Sequence, residues 1–494
     1  MRIVLRRAPR ILALALAVSL LGPWRTEAGR EERAFDEEII VEHARAPRTG
    51  DLDDMLQRGF IRILTTYNPL LFFNDGPRQF GLSYEAAMAF EAHINEGRRG
   101  RRVYAIIIPT SRDKLLPWLV EGRGDIAVAN LTITSERQQL VDFSASLYPG
   151  VDEVIVTGSA APPVASLDDL VATGLFVRPS SSYFEHLTSL NRRRARAGRP
   201  EIPVRTVDER LEDHDLLDLV NAGLLPAIIV DSHKAAFWAQ IFDRITVHDA
   251  LTVNTGGKIA WAVRKNNPRL LDAINGFVKT ARKGTLLGNT ILLRYLKNTV
   301  WIDNARSGEA RERYGQIIEI IKRHAAAYDF DWLMIAAQGY QESKLDQSKR
   351  SRAGAIGIMQ VLPSTAADPN VGIADIETAD NNVHAGVRYL RFLRDRYFDG
   401  AEIGPLDRVL FSLAAYNAGP RNIARARKKA AAMGLDSQTW FGNVEVATSR
   451  IVSREPVRYV RNIYKYYIAY KLLEEERAAR EAAISQQREP SAAP

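Results

Sequence analysis

From about residue 52 the chain alternates short apolar runs with segments of helical period. Phe60-Ile61-Arg62-Ile63-Leu64 reads as a strand, followed by a turn at Asn74-Asp75-Gly76-Pro77. Between Tyr84 and Ile94 the residues Ala87, Phe90 and Ile94 fall on one face at helical spacing, with Tyr84 and Met88 beside them. Val103 to Ile108 is a second strand, Arg112 to Val120 a helix, and Ile126–Ala129 and Val154–Val156 are short buried strands. The same grammar returns at Leu175–Val177, Ala227–Val230 and Lys258–Val263, with helices between. Strands alternating with helices predict an α/β class with a largely parallel sheet. After about Trp301 the pattern changes. Tyr314, Ile317, Ile318, Ile321 and Ala325 share one helical face, and Trp332, Ala336 and Tyr340 share another. Val387, Leu390 and Leu393, then Phe411 and Leu413, continue a strand-poor pattern, so this half is expected to be all-α. From Glu474 the apolar face is lost, and disorder is expected there.

These shifts divide the 494 residues into a segment 1–28, a linker 29–51, an α/β domain 52–299, a helical domain 300–473 and a tail 474–494. Arg2, Arg6, Arg7 and Arg10 precede an apolar stretch from Ile11 to Leu21, and Thr26-Glu27-Ala28 supplies a small-residue cleavage site. That order reads as a secretory signal peptide, since the stretch falls short of the roughly 20 apolar residues a membrane span needs; an uncleaved anchor running on through Gly22-Pro23-Trp24 is the alternative. Export to the periplasm is therefore expected. The net charge of +8 draws the protein to polyanions in general without choosing one. The arginine clusters at 98–102 and 192–194 have no interleaved aromatics, so they read as solvated faces, and no nucleic-acid partner is expected. The absence of cysteine excludes disulfides, thiolate metal sites, cysteine nucleophiles and a lipidated N-terminal cysteine.

The helical half carries a linked set of motifs. Gln341-Glu342-Ser343 ends an apolar helix. A segment from Ser351 through Gly354 and Gly357 to Ile358-Met359-Gln360 follows, then Ala415-Tyr416-Asn417-Ala418-Gly419 and Pro456-Val457-Arg458-Tyr459. Gly354 and Gly357 read as backbone-permissive turn positions. Cleaving a glycosidic bond requires a carboxylic acid that keeps its proton near neutral pH, which apolar burial provides. The surroundings of Tyr340 and Met359 can supply such walls for Glu342. A second carboxylate, usual in glycosidases, is in none of these motifs; Asp346 and Glu455 lie nearest in sequence, and both read as surface charges.

In order and spacing these elements resemble the lysozyme-like lytic transglycosylase family, over about residues 309–473, with Ile358 standing where leucine is usual. The resemblance implies a peptidoglycan-cleaving lyase that needs no metal and no cofactor. Glu342 would protonate the bond between N-acetylmuramic acid and N-acetylglucosamine, then take the proton of the muramic C6 hydroxyl as a 1,6-anhydro ring closes. By the same resemblance Ser343 and Ser351 would orient Glu342 or substrate groups. Gln360, Tyr416 and Asn417 would bind sugar or hold the carboxylate, Met359 would pack against an N-acetyl group, and Tyr459 would sit near the acid. Methionine at such a place also reads as plain core. Two other readings remain: a hydrolase using water, and a solute-binding protein with an inactive wall-binding α domain.

The α/β half contains Gly124-Asp125 to Asn130, then Thr132-Ile133-Thr134-Ser135-Glu136-Arg137 and Val141-Asp142-Phe143-Ser144. With Thr66-Tyr67-Asn68-Pro69, Ser181-Ser182-Tyr183 and Val230-Asp231, this resembles the extracellular solute-binding family that captures amino acids, over about residues 59–283. The resemblance implies a two-lobed, periplasmic-binding-protein-like α/β fold followed by the all-α lysozyme-like domain. Arg137 would grip a ligand's α-carboxylate, for which a guanidinium fork is suited. Asp231 would receive the α-amino group, and Tyr67, Thr132 and Ser182 would complete the site. An internal ion pair of Arg137 with a neighbour such as Asp142 is the alternative. A small amino acid or muropeptide in this cleft, regulating Glu342, and peripheral attachment to the outer membrane complete the expectations.

Overall fold

Phe60–Thr65 is buried at every position, as a strand covered on both faces requires. In the computed structural model, which describes residues 42–75, 78–98, 102–297 and 308–488, it is β1. The other strands are β2 (Phe73–Asp75), β3 (Arg78–Phe80), β4 (Tyr104–Pro109), β5 (Ile126–Thr132), β6 (Val141–Phe143), β7 (Tyr148–Thr157), β8 (Leu175–Val177), β9 (Val204–Thr206), β10 (Ala227–Asp231) and β11 (Thr246–Arg264). Apart from the β2–β3 hairpin they form one sheet in the order β4-β1-β5-β11-β7-β10-β8-β9, with β6 also on β11. β1 pairs in parallel with β4 and β5, as β8 does with β9 and β10. β7 and β11, however, run antiparallel to their neighbours. The expected largely parallel sheet is therefore mixed, because these two long strands pass between the lobes and serve both. The last third of β11 is continuously buried, whereas before it only Val253 is, which kept the apolar signal confined to Lys258–Val263.

The first lobe packs Ile61, Ile63 and Val128 against Phe90, Trp261 and Phe277, whose rings stand 5.5–5.6 Å apart. The second packs Val154, Val156, Ile228 and Val230 under Leu216, Leu217 and Phe237. Beyond residue 307 the chain is helical, with named helices at Gly308–Ala327, Trp332–Ser343, Ala379–Tyr397, Pro405–Ala418 and Glu455–Arg488 among others. Its only described extended pairing is a pair of isolated bridges, Arg350 to Ile356 and Ile356 to Val361.

Two expectations are corrected at the domain edges. The described part of the linker, 42–51, is packed: Ala44 is fully buried and His43 Nδ1 lies 2.7 Å from the Tyr464 hydroxyl. Arg62, a buried cation inside β1, is paired with Asp125 and also donates to the carbonyls of Ala44, Ala46 and Arg48. A desolvated guanidinium needs such acceptors, and this segment supplies them. The tail expected to be disordered from 474 is helix as far as Arg488. Ala483 and Ile484 pack on the second-lobe core, and Arg480 pairs with Asp215 at 2.5 Å. The expected signal peptide lies outside the described residues.

Candidate active site

Glu342 occupies the last turn of the Trp332–Ser343 helix. Asp331 caps that helix, accepting from the Leu333 N–H at 2.9 Å, and the chain leaves it through Lys344 and Leu345, both at positive φ. The loop carrying Ile358-Met359 lies hard against this helix end. A Cβ on Gly339 would stand 2.8 Å from Leu345 Cδ2, and one on Gly386 would stand 2.6 Å from Met359 Cβ, so neither position has room for a side chain. Ser343 locks the junction by donating to the carbonyls of Gly339 and Ile358 and accepting from the Asp346 N–H. These bonds fix the end of the helix that carries Glu342.

The Tyr459 hydroxyl donates to Glu342 Oε1 at 2.6 Å, and Gln338 Nε2 donates to that hydroxyl at 3.2 Å. Lys349 Nζ reaches the Glu342 carbonyl at 2.5 Å. Burial outweighs the Tyr459 hydrogen bond and, helped by the negative charge of Glu455, pushes the Glu342 carboxyl up to about 7. Tyr416 is held by a 2.9 Å bond to the Met359 carbonyl. Burial and the neighbouring Glu342 keep the phenols of Tyr416 and Tyr459 well above their ordinary range, so both remain donors. Asn417 donates to Glu455 Oε1 at 3.0 Å while its own Oδ1 is buried without a partner, a vacant acceptor at the site.

Some expected site residues do other work. Met359 is fully buried among Gly339 and Gly386, so in this structure it is core and its side chain is not offered to an N-acetyl group. The hydroxyl of Ser351 accepts from the Ala355 N–H within its own turn, and Gln360 donates to the carbonyls of Lys349 and Gly357, so both shape the loop. Asp346 is bonded to Ser348 at the surface. Sequence reasoning missed Gln338 and Lys349. Gln338 stands one helical turn before Glu342, so spacing alone could have found it; Lys349 carried no signal.

In the cleft of the α/β domain, Arg137 Nε donates to Glu185 Oε1 at 2.9 Å, and its other nitrogens reach the carbonyls of Thr132 and Ser180. The alternative partner Asp142 pairs instead with Lys265. Asp231 accepts from Asn130 and from Lys234, each at 2.8 Å, and Ser182 donates to Glu153. Tyr67 lies under the Arg480 guanidinium, 5.3 Å from its ring centre. The structure thus engages the polar groups of Arg137, Ser182 and Asp231 internally, while the ring of Tyr67 faces Arg480. Among the described residues no cluster of His, Asp or Glu could hold a metal ion.

Residues 319–438 match the model of the Transglycosylase SLT domain, and residues 61–292 match that of the bacterial extracellular solute-binding proteins, family 3. Along most of its length the chain is similar to curated proteins called membrane-bound lytic murein transglycosylase F. The one from Maricaulis maris (strain MCS10) is 31% identical over 438 residues, which is 83% of this chain and 90% of that protein. The one from Desulfosudis oleivorans is 28% identical over 430 residues, again 83% and 90%. The chain belongs to the membrane-bound lytic murein transglycosylase F family. As a member it is a lyase acting on peptidoglycan, with a solute-binding domain ahead of a lysozyme-like one.

In this transglycosylase the Glu455–Arg488 helix meets the Trp332–Ser343 helix at several points. Tyr459 meets Glu342, Asn462 donates to Gln341 at 3.0 Å, Tyr466 packs edge-on against Tyr340, and the Tyr467 hydroxyl donates to Asp331 at 2.7 Å. The same helix bears on the first lobe, where Arg461 reaches the carbonyls of Gly59 and Arg102, and on the second through Arg480. One helix therefore touches Glu342 and both lobes of the solute-binding domain.

Proposed function

We propose that the protein cleaves the β-1,4 bond between N-acetylmuramic acid and N-acetylglucosamine and leaves 1,6-anhydro ends, with Glu342 as its single acid and base. The observation that carries this reading is the Glu342 carboxyl poised at about 7 beneath Tyr459. A group near neutrality can both give and accept a proton at working pH. Glu342 hands its proton to the leaving O4 of N-acetylglucosamine as the C1–O4 bond breaks. The resulting carboxylate takes the proton of the muramic C6 hydroxyl as the C1–O6 bond forms, so the enzyme is restored without water. A tethered hydroxyl at an effective molarity of roughly 10⁵ M or more outcompetes solvent. Among the described residues Glu455 is the carboxylate that acts on Glu342; it is exposed and held by Asn417, which supports a tuning role over that of a second catalytic acid. Replacing Glu342 by Gln should lower the release of muropeptides from purified sacculi by at least about a hundredfold, and turnover near the wild-type rate would sink the mechanism.

The solute-binding domain is read as regulatory. A wall-derived ligand between its lobes shifts the enzyme only if it favours one lobe arrangement over another, and the Glu455–Arg488 helix is the element through which such a shift reaches Tyr459. The basic leader and the membrane-bound relatives support a reading of this protein as periplasmic and peripheral on the outer membrane. Among the described residues no helix is long and apolar enough to cross a membrane.

A further inference from the structure

An open receptor for an α-amino acid keeps an arginine for the carboxylate and an acid for the ammonium, each awaiting its partner. Here both are taken. Arg137 is only 7% exposed and has all three of its nitrogens bonded inside the protein, one of them to the carboxylate of Glu185. Asp231, 2% exposed, is paired with the ammonium of Lys234, which also pairs with Asp213 at 2.6 Å. Arg137 follows β5 in the first lobe, and Glu185 lies in the Ser182–Arg196 helix of the second. Their ion pair therefore closes the cleft, as does the Asn130–Asp231 bond from β5 to β10. A third link of the same kind, Arg112 with Glu212 at 2.7 Å, is buried beside them.

We infer that the cleft carries its own built-in zwitterion, with Glu185 in place of a ligand's carboxylate and Lys234 in place of its ammonium, so that the protein excludes free α-amino acids. The inference rests on reading this domain as a ligand cleft, and it makes Glu185 and Lys234 its specificity-determining residues. An incoming amino acid must displace a carboxylate tethered at an effective concentration on the order of millimolar. It must also break the two carbonyl contacts of Arg137 to obtain a two-point grip. Removing one partner of a buried ion pair strands the other charge, so loss of Glu185 turns Arg137 into a vacant anion receptor. The second oxygen of Glu185 and Oδ1 of Asp231 are buried without a protein partner. The internal pairing is thus imperfect, and an exchange of partners is open to a variant.

The test is binding to the full-length protein without peptidoglycan, which separates it from any failure of the catalytic reading. Thermal unfolding and calorimetry with each common L-α-amino acid at millimolar concentration should show no saturable binding to the wild type. Glu185→Ala, and the isosteric Glu185→Gln in case the smaller residue unfolds the lobe, should bind at least one of them. The gain expected from removing a charge-assisted internal competitor is roughly ten- to a hundredfold, and a further Arg137→Ala should erase it. Saturable binding of an amino acid by the wild type, lost in Arg137→Ala, would overturn the inference. So would folded Glu185 variants that bind none.

Discussion

Glu342 and Arg137 are both charged groups in a cleft, both singled out by motif, and the structure treats them in opposite ways. Glu342 receives one hydrogen bond to its carboxylate, from Tyr459, and is left under-compensated, so its proton affinity rises toward neutrality. Arg137 receives a counter-charge and two carbonyls and is left with nothing to offer. A residue type in a motif states what chemistry is available. Whether that chemistry is free to act depends on how completely the neighbours satisfy it.

The largest effect should come from removing the under-compensated group itself. Glu342→Gln should lower turnover of sacculi by on the order of 10²–10⁴-fold, the usual contribution of a positioned proton donor, followed by the rate of muropeptide release. Next is the tie between the regions. Arg480→Ala strands Asp215, which is buried on the Asp213–Asn221 helix, and should destabilise the fold by about 3 kcal/mol, read in denaturant unfolding. Tyr459→Phe removes the hydrogen bond that favours ionised Glu342, so the carboxyl rises further. The alkaline fall of the pH–rate profile should then move to higher pH, and turnover should drop roughly tenfold as the carboxylate loses its orientation.

Stability offers a signed test of the same contrast. The folded carboxyl of Glu342 sits at about 7, above its ordinary 4.5, so the folded state holds the proton more tightly than the unfolded chain. That contribution is fully present below pH 4.5 and is lost as pH rises through 7, costing up to about 3 kcal/mol at pH 8. Glu342→Gln should therefore be more stable than wild type at pH 8 and no more stable at pH 4, although it turns over far more slowly. The smallest effect is that of Glu455→Gln. It removes a negative charge acting on Glu342, so the alkaline limb should move to lower pH by less than one unit.

Much of this was legible in the chain. Apolar runs located the buried strands, and linked motifs located Glu342, Tyr416 and Tyr459. What escaped was polar and long-range. The first part of β11 is largely exposed or half-buried, and its few apolar residues do not form a continuous run. Segment 42–51 is held by the buried Arg62, and the helix beyond 474 is held by an ion pair between Arg480 and Asp215, 265 residues apart. Met359 and Glu185 make the same point at residue level. Motif position suggested a ligand contact for the first and nothing for the second, yet packing makes the first core and the second the partner of Arg137.

The central claim, that Glu342 works alone with an internal nucleophile, is tested most directly by mass spectrometry of sacculi digested in ¹⁸O-water. The account predicts 1,6-anhydro-muramic ends with no ¹⁸O incorporated. Reducing ends carrying ¹⁸O would show that water attacks, and would contradict it.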